Sequence, residues 1–376
     1  MTRGLKIAVV GGRGIPARYS GFETFAEELC PRLVELGHEV TVYGRRGYGQ
    51  ETPDWYKGVR VIWPPYIHKQ ALERISAEFL TILHSLTQGY DLYYLLAVDS
   101  AWMYTPLRAT RRIIVCNTDG LGWRRRKWSP MARAYLHFAE WATARFAADE
   151  LVSDAMSILR YFRVVYGRDS TYLTNGAHVL TELPDGALDE WDLEPGGYYL
   201  VACRIEPENN TDVVIREFVA SGSKRELAIA GAVMYESEHW KQLQELAHGH
   251  RVRFLGPVYE PGKVEALHLG CYGYVHGHEA GGTNPALLKG MGCGNLVLAL
   301  RTTFNGENLL DTGRYWDKDE GSLARQIRWA ETNPEQAREL GRRAQERIRS
   351  HYTWDRIAAQ HDQYFRELGR RRGLPV

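Results

Sequence analysis

Between two short apolar runs, 272–275 and 296–300, the chain reads Gly-His-Glu-Ala-Gly-Gly-Thr-Asn-Pro-Ala-Leu-Leu-Lys-Gly-Met-Gly-Cys-Gly over 277–294. Gly, Thr and Asn opening a helix directly after a strand suit an anion, because unpaired backbone N–H groups and the positive end of the helix dipole converge there. The ligand this pattern points to is a nucleotide or its diphosphate. The competing account is a glycine-rich turn that serves packing alone. Arg204, in Arg204-Ile205-Glu206-Pro207-Glu208-Asn209-Asn210, also follows an apolar run and precedes a helix. It can hold a diphosphate against the Gly282-Thr283-Asn284 turn, or it can form a structural salt bridge. His276 and His278 flank Gly277, but no third ligand is spaced to join them, so a metal centre is not expected.

Three more clusters lie in the first half. Gly11-Gly12-Arg13-Gly14-Ile15-Pro16 closes the first apolar run. Gly12 and Gly14 let backbone approach a substrate and Arg13 can meet an anion; otherwise the segment is a tight turn with Arg13 in solvent. The pattern is not G-x-G-x-x-G, which argues against a NAD enzyme. Asn117-Thr118-Asp119-Gly120 follows another apolar run, where Asp119 either orients a sugar hydroxyl or accepts a proton, or else belongs to an Asx-turn or a helix cap. Next, Trp123-Arg124-Arg125-Arg126-Lys127-Trp128 brackets four cations with two indoles. Such a run is either solvated surface or an interfacial segment for an anionic membrane or a lipid pyrophosphate.

These clusters stand at the ends of apolar runs, and that dictates the elements that must carry them. Residues 5–10 predict a strand; Phe22, Phe25, Ala26, Leu29, Leu33 and Leu36 recur at helical spacing; Gly37 stops that helix, and 39–43 resumes as a strand. Further strands are predicted at 59–63, 91–98, 112–116 and 150–152, with helices around 72–86 and 131–147. After Thr174-Asn175-Gly176, the turn-rich segments Leu183-Pro184-Asp185-Gly186 and Glu194-Pro195-Gly196-Gly197 read as an interdomain linker. A second series of strands follows at 198–203, 226–230, 251–255, 272–275 and 296–300, with helices from about Thr211, Ser237, Lys263 and Pro285. Alternating strands and helices predict an α/β fold of parallel sheets. Two Rossmann-like domains, 1–180 and 197–350, would bind their ligand at the carboxyl ends of their strands.

Composition bounds the function. A chain of 376 residues exceeds one comfortable hydrophobic core. Its net charge of +1 argues against a general nucleic-acid binder, so any basic function must be local. Five scattered cysteines without C-x-x-C spacing indicate neither a disulfide framework nor a zinc site. There is no leader-like start and no apolar run approaching ~18 residues. The expectation is a cytoplasmic protein that does not span the membrane.

Together these motifs resemble the retaining GT-B glycosyltransferases of family 4, within it the bacterial branch that includes rhamnosyltransferases of capsule and cell-wall polysaccharide assembly. The resemblance covers essentially the whole chain. It is carried by Gly12-Arg13-Gly14-Ile15-Pro16 with Tyr19-Ser20-Gly21-Phe22-Glu23-Thr24, by Asn117-Thr118-Asp119-Gly120-Leu121, by the segment from Arg204 to Asn210, and by His276-Gly277-His278 with Gly281-Gly282-Thr283-Asn284-Pro285. Tyr352-Thr353-Trp354 is similar to the opening of the family's C-terminal segment, which implies that 351–376 form a helix crossing back to the first domain.

The resemblance implies an acceptor in the first domain and a nucleoside diphosphate sugar in the second. Arg204 matches the arginine that neutralises the donor diphosphate, Asn209 stands where relatives carry lysine, and Asp119 where many carry an active-site histidine. The catalytic set is then Asp119, Arg204 and Glu279. The donor-binding set is Gly12, Gly14, Arg204, Asn209, Gly281, Gly282, Thr283, Asn284 and Lys289. Arg13, Trp123, Arg124, Arg125, Arg126, Lys127 and Trp128 face the acceptor or a membrane on the inner face of the cell. Relatives open the helix with two glutamates eight positions apart, the second of which grips the ribose; here those positions are Gly281 and Lys289, with Glu279 two residues earlier. A cation cannot accept a hydrogen bond from a ribose hydroxyl. The expected activity is retaining transfer of rhamnose or another hexose to a hydroxyl of a glycan or lipid-linked acceptor, with no metal or cofactor. The alternative is a non-catalytic GT-B binding or partner protein that lost ribose recognition at Lys289. An epimerase or phosphorylase-like protein of the same architecture is a further rival.

Overall fold

The computed structural model describes residues 3–17, 21–47, 51–67, 73–125, 128–232, 238–258, 260 and 262–376. The chain forms two compact units, Met1–Asn175 with Trp354–Val376, and Gly176–Thr353.

In the first unit the elements are β1 (Lys6–Val10), α1 (Gly21–Glu35), β2 (Glu39–Tyr43), β3 (Trp55–Tyr56), β4 (Val59–Ile62), α2 (Glu73–Leu86), β5 (Leu92–Leu95), α3 (Val98–Ala101), β6 (Ile113–Asn117), α4 (Pro130–Ala142), β7 (Glu150–Ser153), α5 (Met156–Tyr166) and β8 (Thr171–Tyr172). The sheet order is β3-β4-β2-β1-β5-β6-β7-β8, parallel except for the β3–β4 hairpin. Central strands are apolar throughout because both faces are covered; Ile7 pairs with Val40 on one side and Leu92 on the other. Parallel crossovers are right-handed. The chain leaves β1 in one direction through α1 and leaves β4, β5 and β6 in the other through α2, α3 and α4. Thus α1 lies on one face of the sheet and α2, α3 and α4 on the opposite one.

The second unit contains β9 (Tyr198–Ala202), α6 (Thr211–Ser221), β10 (Glu226–Ala230), α7 (Glu238–Ala247), β11 (Val252–Gly256), α8 (Lys263–Gly270), β12 (Gly273–His276), α9 (Pro285–Gly292), β13 (Val297–Leu300), α10 (Thr303–Leu309), β14 (Arg314–Trp316), α11 (Ser322–Thr332) and α12 (Pro334–His351). Its parallel sheet runs β11-β10-β9-β12-β13-β14. The last helix, α13 (Trp354–Arg371), returns to the first unit. Trp354, Ile357, Phe365 and Leu368 enter the core built by Phe25, Leu29 and Leu33 of α1.

Several expectations need correction. The segment 181–196, read as a linker, is part of the second unit, because Leu188, Trp191 and Leu193 are buried in its core. The unit boundary falls at Asn175 and Gly176, not near 180, since Ala177 N–H already donates to Tyr352 O at 2.7 Å. Residues 351–353 stay with the second unit. The strand expected at 91–98 stops at Leu95, with α3 starting at Val98. The helix expected over 131–147 is α-helical only to Ala142 and continues as a π turn, Thr143–Ala147. Leu72 and Ser237, where helices were expected to begin, lie outside the described residues. No helix among the described residues is long and apolar enough to cross a membrane.

Candidate functional site

In a parallel sheet, the crevice at the carboxyl ends of two neighbouring strands whose connections leave in opposite directions is where ligands bind. In the second unit that point lies between β9 and β12: α6 carries the chain away towards β10, and α9 carries it the other way to β13. The loop after β9 holds Arg204 to Asn210, and the loop after β12 holds Gly277 to Asn284. Asn210 joins them, its Nδ2 donating to Gly277 O at 2.8 Å and to Glu279 Oε2 at 3.3 Å. Glu279 N–H donates to Glu208 O at 3.2 Å. Gly277 permits the approach, since a Cβ there would stand 2.2 Å from Asn209 O.

Within this crevice Arg204 is 42% exposed, with its guanidinium 3.5 Å from the Glu206 carboxylate. That is a loose tether, and the cation remains accessible. Glu279 pairs with Lys318, just beyond β14, so a carboxylate and an ammonium stand together at the sheet edge. Gly281 has φ +132 with open space where a side chain would be, a backbone conformation that favours glycine and leaves the peptide bare. Gly282 and Thr283 are buried beside it. His276 and His278 stack with centroids 4.4 Å apart. Burial, and the neighbouring imidazole, push His276 well below its ordinary value.

Three residues of the expected donor set serve the scaffold. Asn209 is buried and its Nδ2 donates to Arg204 O at 2.7 Å, which shapes the loop instead of presenting an amide. Asn284 caps α9, accepting from Ala286 N–H at 2.9 Å. Thr283 is buried, its hydroxyl donating to Asn308 Oδ1 at 3.3 Å. Lys289 lies one turn into α9 and pairs with Glu265 of α8. Burial raises the Glu265 carboxyl, and the adjacent ammonium outweighs this and holds it below its ordinary value.

The first unit has its own such point between β1 and β5. Gly14 there is a packing glycine: a Cβ would stand 2.5 Å from the Trp63 ring. Gly12 has ordinary room, with Leu96 3.6 Å from a Cβ. Arg13 is half-buried, and its carbonyl accepts from Arg45 N–H at 3.1 Å. Asn117, not Asp119, makes the Asx turn, accepting from Asp119 N–H at 3.0 Å. Asp119 takes φ +48, and burial raises its carboxyl, with Arg125 pulling the other way. Trp123 sits edge-on to His137 at 5.0 Å, and Arg124 lies over the Trp123 and Tyr161 rings at 5.1 and 5.6 Å. Trp128 is exposed, while Arg126 and Lys127 lie outside the described residues, as do Tyr19 and Ser20.

A two-unit chain with parallel sheets of this order and Gly-rich switch points has structural relatives along its length. A sucrose-phosphate synthase from Thermosynechococcus elongatus aligns over 97% of this chain and 99% of its own, with a TM-score of 0.83 at 18% identity. The fold is GT-B. Other GT-B structures aligning over 96% of the chain are Anabaena HepE in complex with UDP and glucose, covered completely (TM-score 0.78, 16% identity), and WaaG, a glycosyltransferase involved in lipopolysaccharide biosynthesis, covered to 99% (0.70, 13%). Residues 214–363 match a family model described as glycosyl transferase-like, and 93–178 match a domain of unknown function, DUF1972. No curated protein matches the chain in sequence.

Sequence reasoning missed Asn210, Lys318 and Glu265. Asn210 stands beside Asn209 in the same motif, and the residue type does not separate their roles. Lys318 sits in Asp317-Lys318-Asp319-Glu320 after an unassigned strand. Glu265 is the counter-charge that a lysine on an apolar helix requires.

Proposed function

We propose that the chain is a retaining glycosyltransferase that moves rhamnose or another hexose from a nucleoside diphosphate to a hydroxyl of a glycan or lipid-linked acceptor in cell-surface polysaccharide assembly. The observation that carries this is the junction, through Asn210, of the Arg204 loop with the turn that bares Gly281 at the switch point of the second unit. The family match over 214–363 and relatives crystallised with UDP and UDP-glucose support it. The bond from the sugar's anomeric carbon to the diphosphate breaks while the bond to the acceptor oxygen forms on the same face, and the acceptor's proton passes to the leaving phosphate. The charge that develops on that phosphate is met by Arg204 and by backbone N–H groups at the Gly281–Asn284 turn. Glu279, held by Asn210 and Lys318, orients the donor sugar, and Asp119 the acceptor. The Lys289–Glu265 pair restores a carboxylate beside the position where relatives carry one, so ribose recognition is assigned to Glu265. No metal is given a role.

The test is a thermal-shift screen of nucleotide sugars, followed by mass and anomeric analysis of the product made from the stabilising donor, with and without a chelator. Transfer with retention that survives the chelator is expected. Donor binding without transfer or hydrolysis would instead make the chain a non-catalytic relative.

A further inference from the structure

One face of the first unit has its polarity inverted. α2 buries Glu78, Thr81 and Ser85 and exposes Ile75, Phe79, Leu83 and Leu86, at spacings of 4, 4 and 3. Glu78 is held inside by the Ser100 and Tyr104 hydroxyls, 3.1 and 2.9 Å from its carboxylate. On the same side of the sheet α4 repeats the arrangement. Its Glu140 is buried, accepting from Tyr161 and Tyr166, while Met131, Tyr135, Phe138 and Trp141 are exposed. The rings of Trp102, Phe138, Trp141 and Phe146 follow one another at centroid distances of 6.2, 5.8 and 5.2 Å, a continuous ridge. Arg74 of α2 pairs with Asp99, whose carbonyl accepts from Tyr135, so the two helices lie beside each other.

An apolar face of this extent is a binding face, and charge decides what covers it. Between 108 and 147 the chain has nine Arg or Lys against two carboxylates, in a protein of net charge +1. Arg124, Arg133 and Arg145 are exposed on or beside α4. A second copy would bring the same cations against each other. We propose that this face docks on an anionic lipid surface, with Phe138, Trp141 and Phe146 entering the headgroup region and the arginines meeting lipid phosphates. Trp123 packs on His137 of α4, with Arg124 over its ring; the insertion face is α4. The proposal does not depend on the glycosyltransferase assignment.

The experiment is flotation of the full chain with vesicles of phosphatidylglycerol and phosphatidylethanolamine, and of phosphatidylcholine alone, at low and high salt. Binding to the anionic vesicles only, fading with salt, is expected. Arg145→Ser should weaken it by roughly fivefold. A Phe138→Ser, Trp141→Ser double variant should lose it while keeping the wild-type melting temperature. As a check that needs no variant, acyl-brominated lipid should quench the tryptophan fluorescence of the bound wild type. Failure to bind anionic vesicles, equal binding by the double variant, or absence of quenching overturns the proposal. Sedimentation showing a dimer that the double variant abolishes, without vesicle binding, assigns the ridge to a subunit interface instead.

Discussion

At the scale of residues, two charges decide what the second unit can do. Arg204 is tethered only loosely to Glu206 and is an accessible cation of the crevice. Arg204→Ala should therefore weaken binding of the stabilising nucleotide sugar by roughly 1.5–3 kcal/mol, the range for a charge-assisted hydrogen bond. Calorimetry measures it, and unchanged affinity would remove Arg204 from the site. Lys289 is a different case, because its partner is a protein carboxylate. Lys289→Glu should set two carboxylates against each other and destabilise the unit by about 1–2 kcal/mol at neutral pH, a partly exposed pair being screened. Adding Glu265→Lys should restore the melting temperature. A charge-swapped double variant no more stable than Lys289→Glu would show that the pair contributes nothing.

At the scale of elements, the turns that hold the site are built by side chains bonded to the protein itself. Asn284 caps α9, so Asn284→Ala should cost about 0.5–2 kcal/mol of stability and leave donor affinity unchanged once the protein is folded. A thermal melt beside a binding isotherm separates the two; a selective loss of affinity would return Asn284 to the donor set. The β-α-β order and the Gly-rich turns were legible in the sequence because buried parallel strands are nearly uniform apolar runs and glycine marks where backbone must bend. The scaffold bonds of Asn209, Thr283 and Asn284 were not legible for one reason: a short polar side chain at a strand end reads alike whether it faces a ligand or its own backbone. Glu265 and Lys318 were invisible because pairing across helices and strands has no period along the chain. Leu188, Trp191 and Leu193 were hidden among Pro and Gly, which dominate a turn-rich segment even where three apolar side chains anchor it.

At the scale of the whole molecule, both units bury neutral histidines, which couples stability to acid. His361 of α13 donates from Nδ1 to Ile357 O at 2.8 Å and accepts at Nε2 from Tyr94 at 3.2 Å; burial pushes it down to about 4. His268 in the second unit is likewise pushed down to about 4 by burial. The unfolded chain takes up these protons near about 6.5. Their contribution is therefore fully present above that pH and is lost as pH falls towards 4, roughly 3 kcal/mol for each. Melting temperatures across this window should fall steadily in the wild type and less steeply in His361→Gln. Equal slopes would show that His361 is not the group that titrates.

The placement of α13 also orders the chain in time. Because Trp354–Val376 completes the core begun by residues before Asn175, the second unit is an insertion within the first. During synthesis Gly176–Thr353 is polymerised in full before the last helix exists. The unit encoded second is thus complete in sequence first, and the unit encoded first still lacks the helix that covers its α1 face. A chain cut before Trp354 holds every residue of the second unit and lacks part of the first unit's core, so the addition of Trp354–Val376 is the step that closes the first unit.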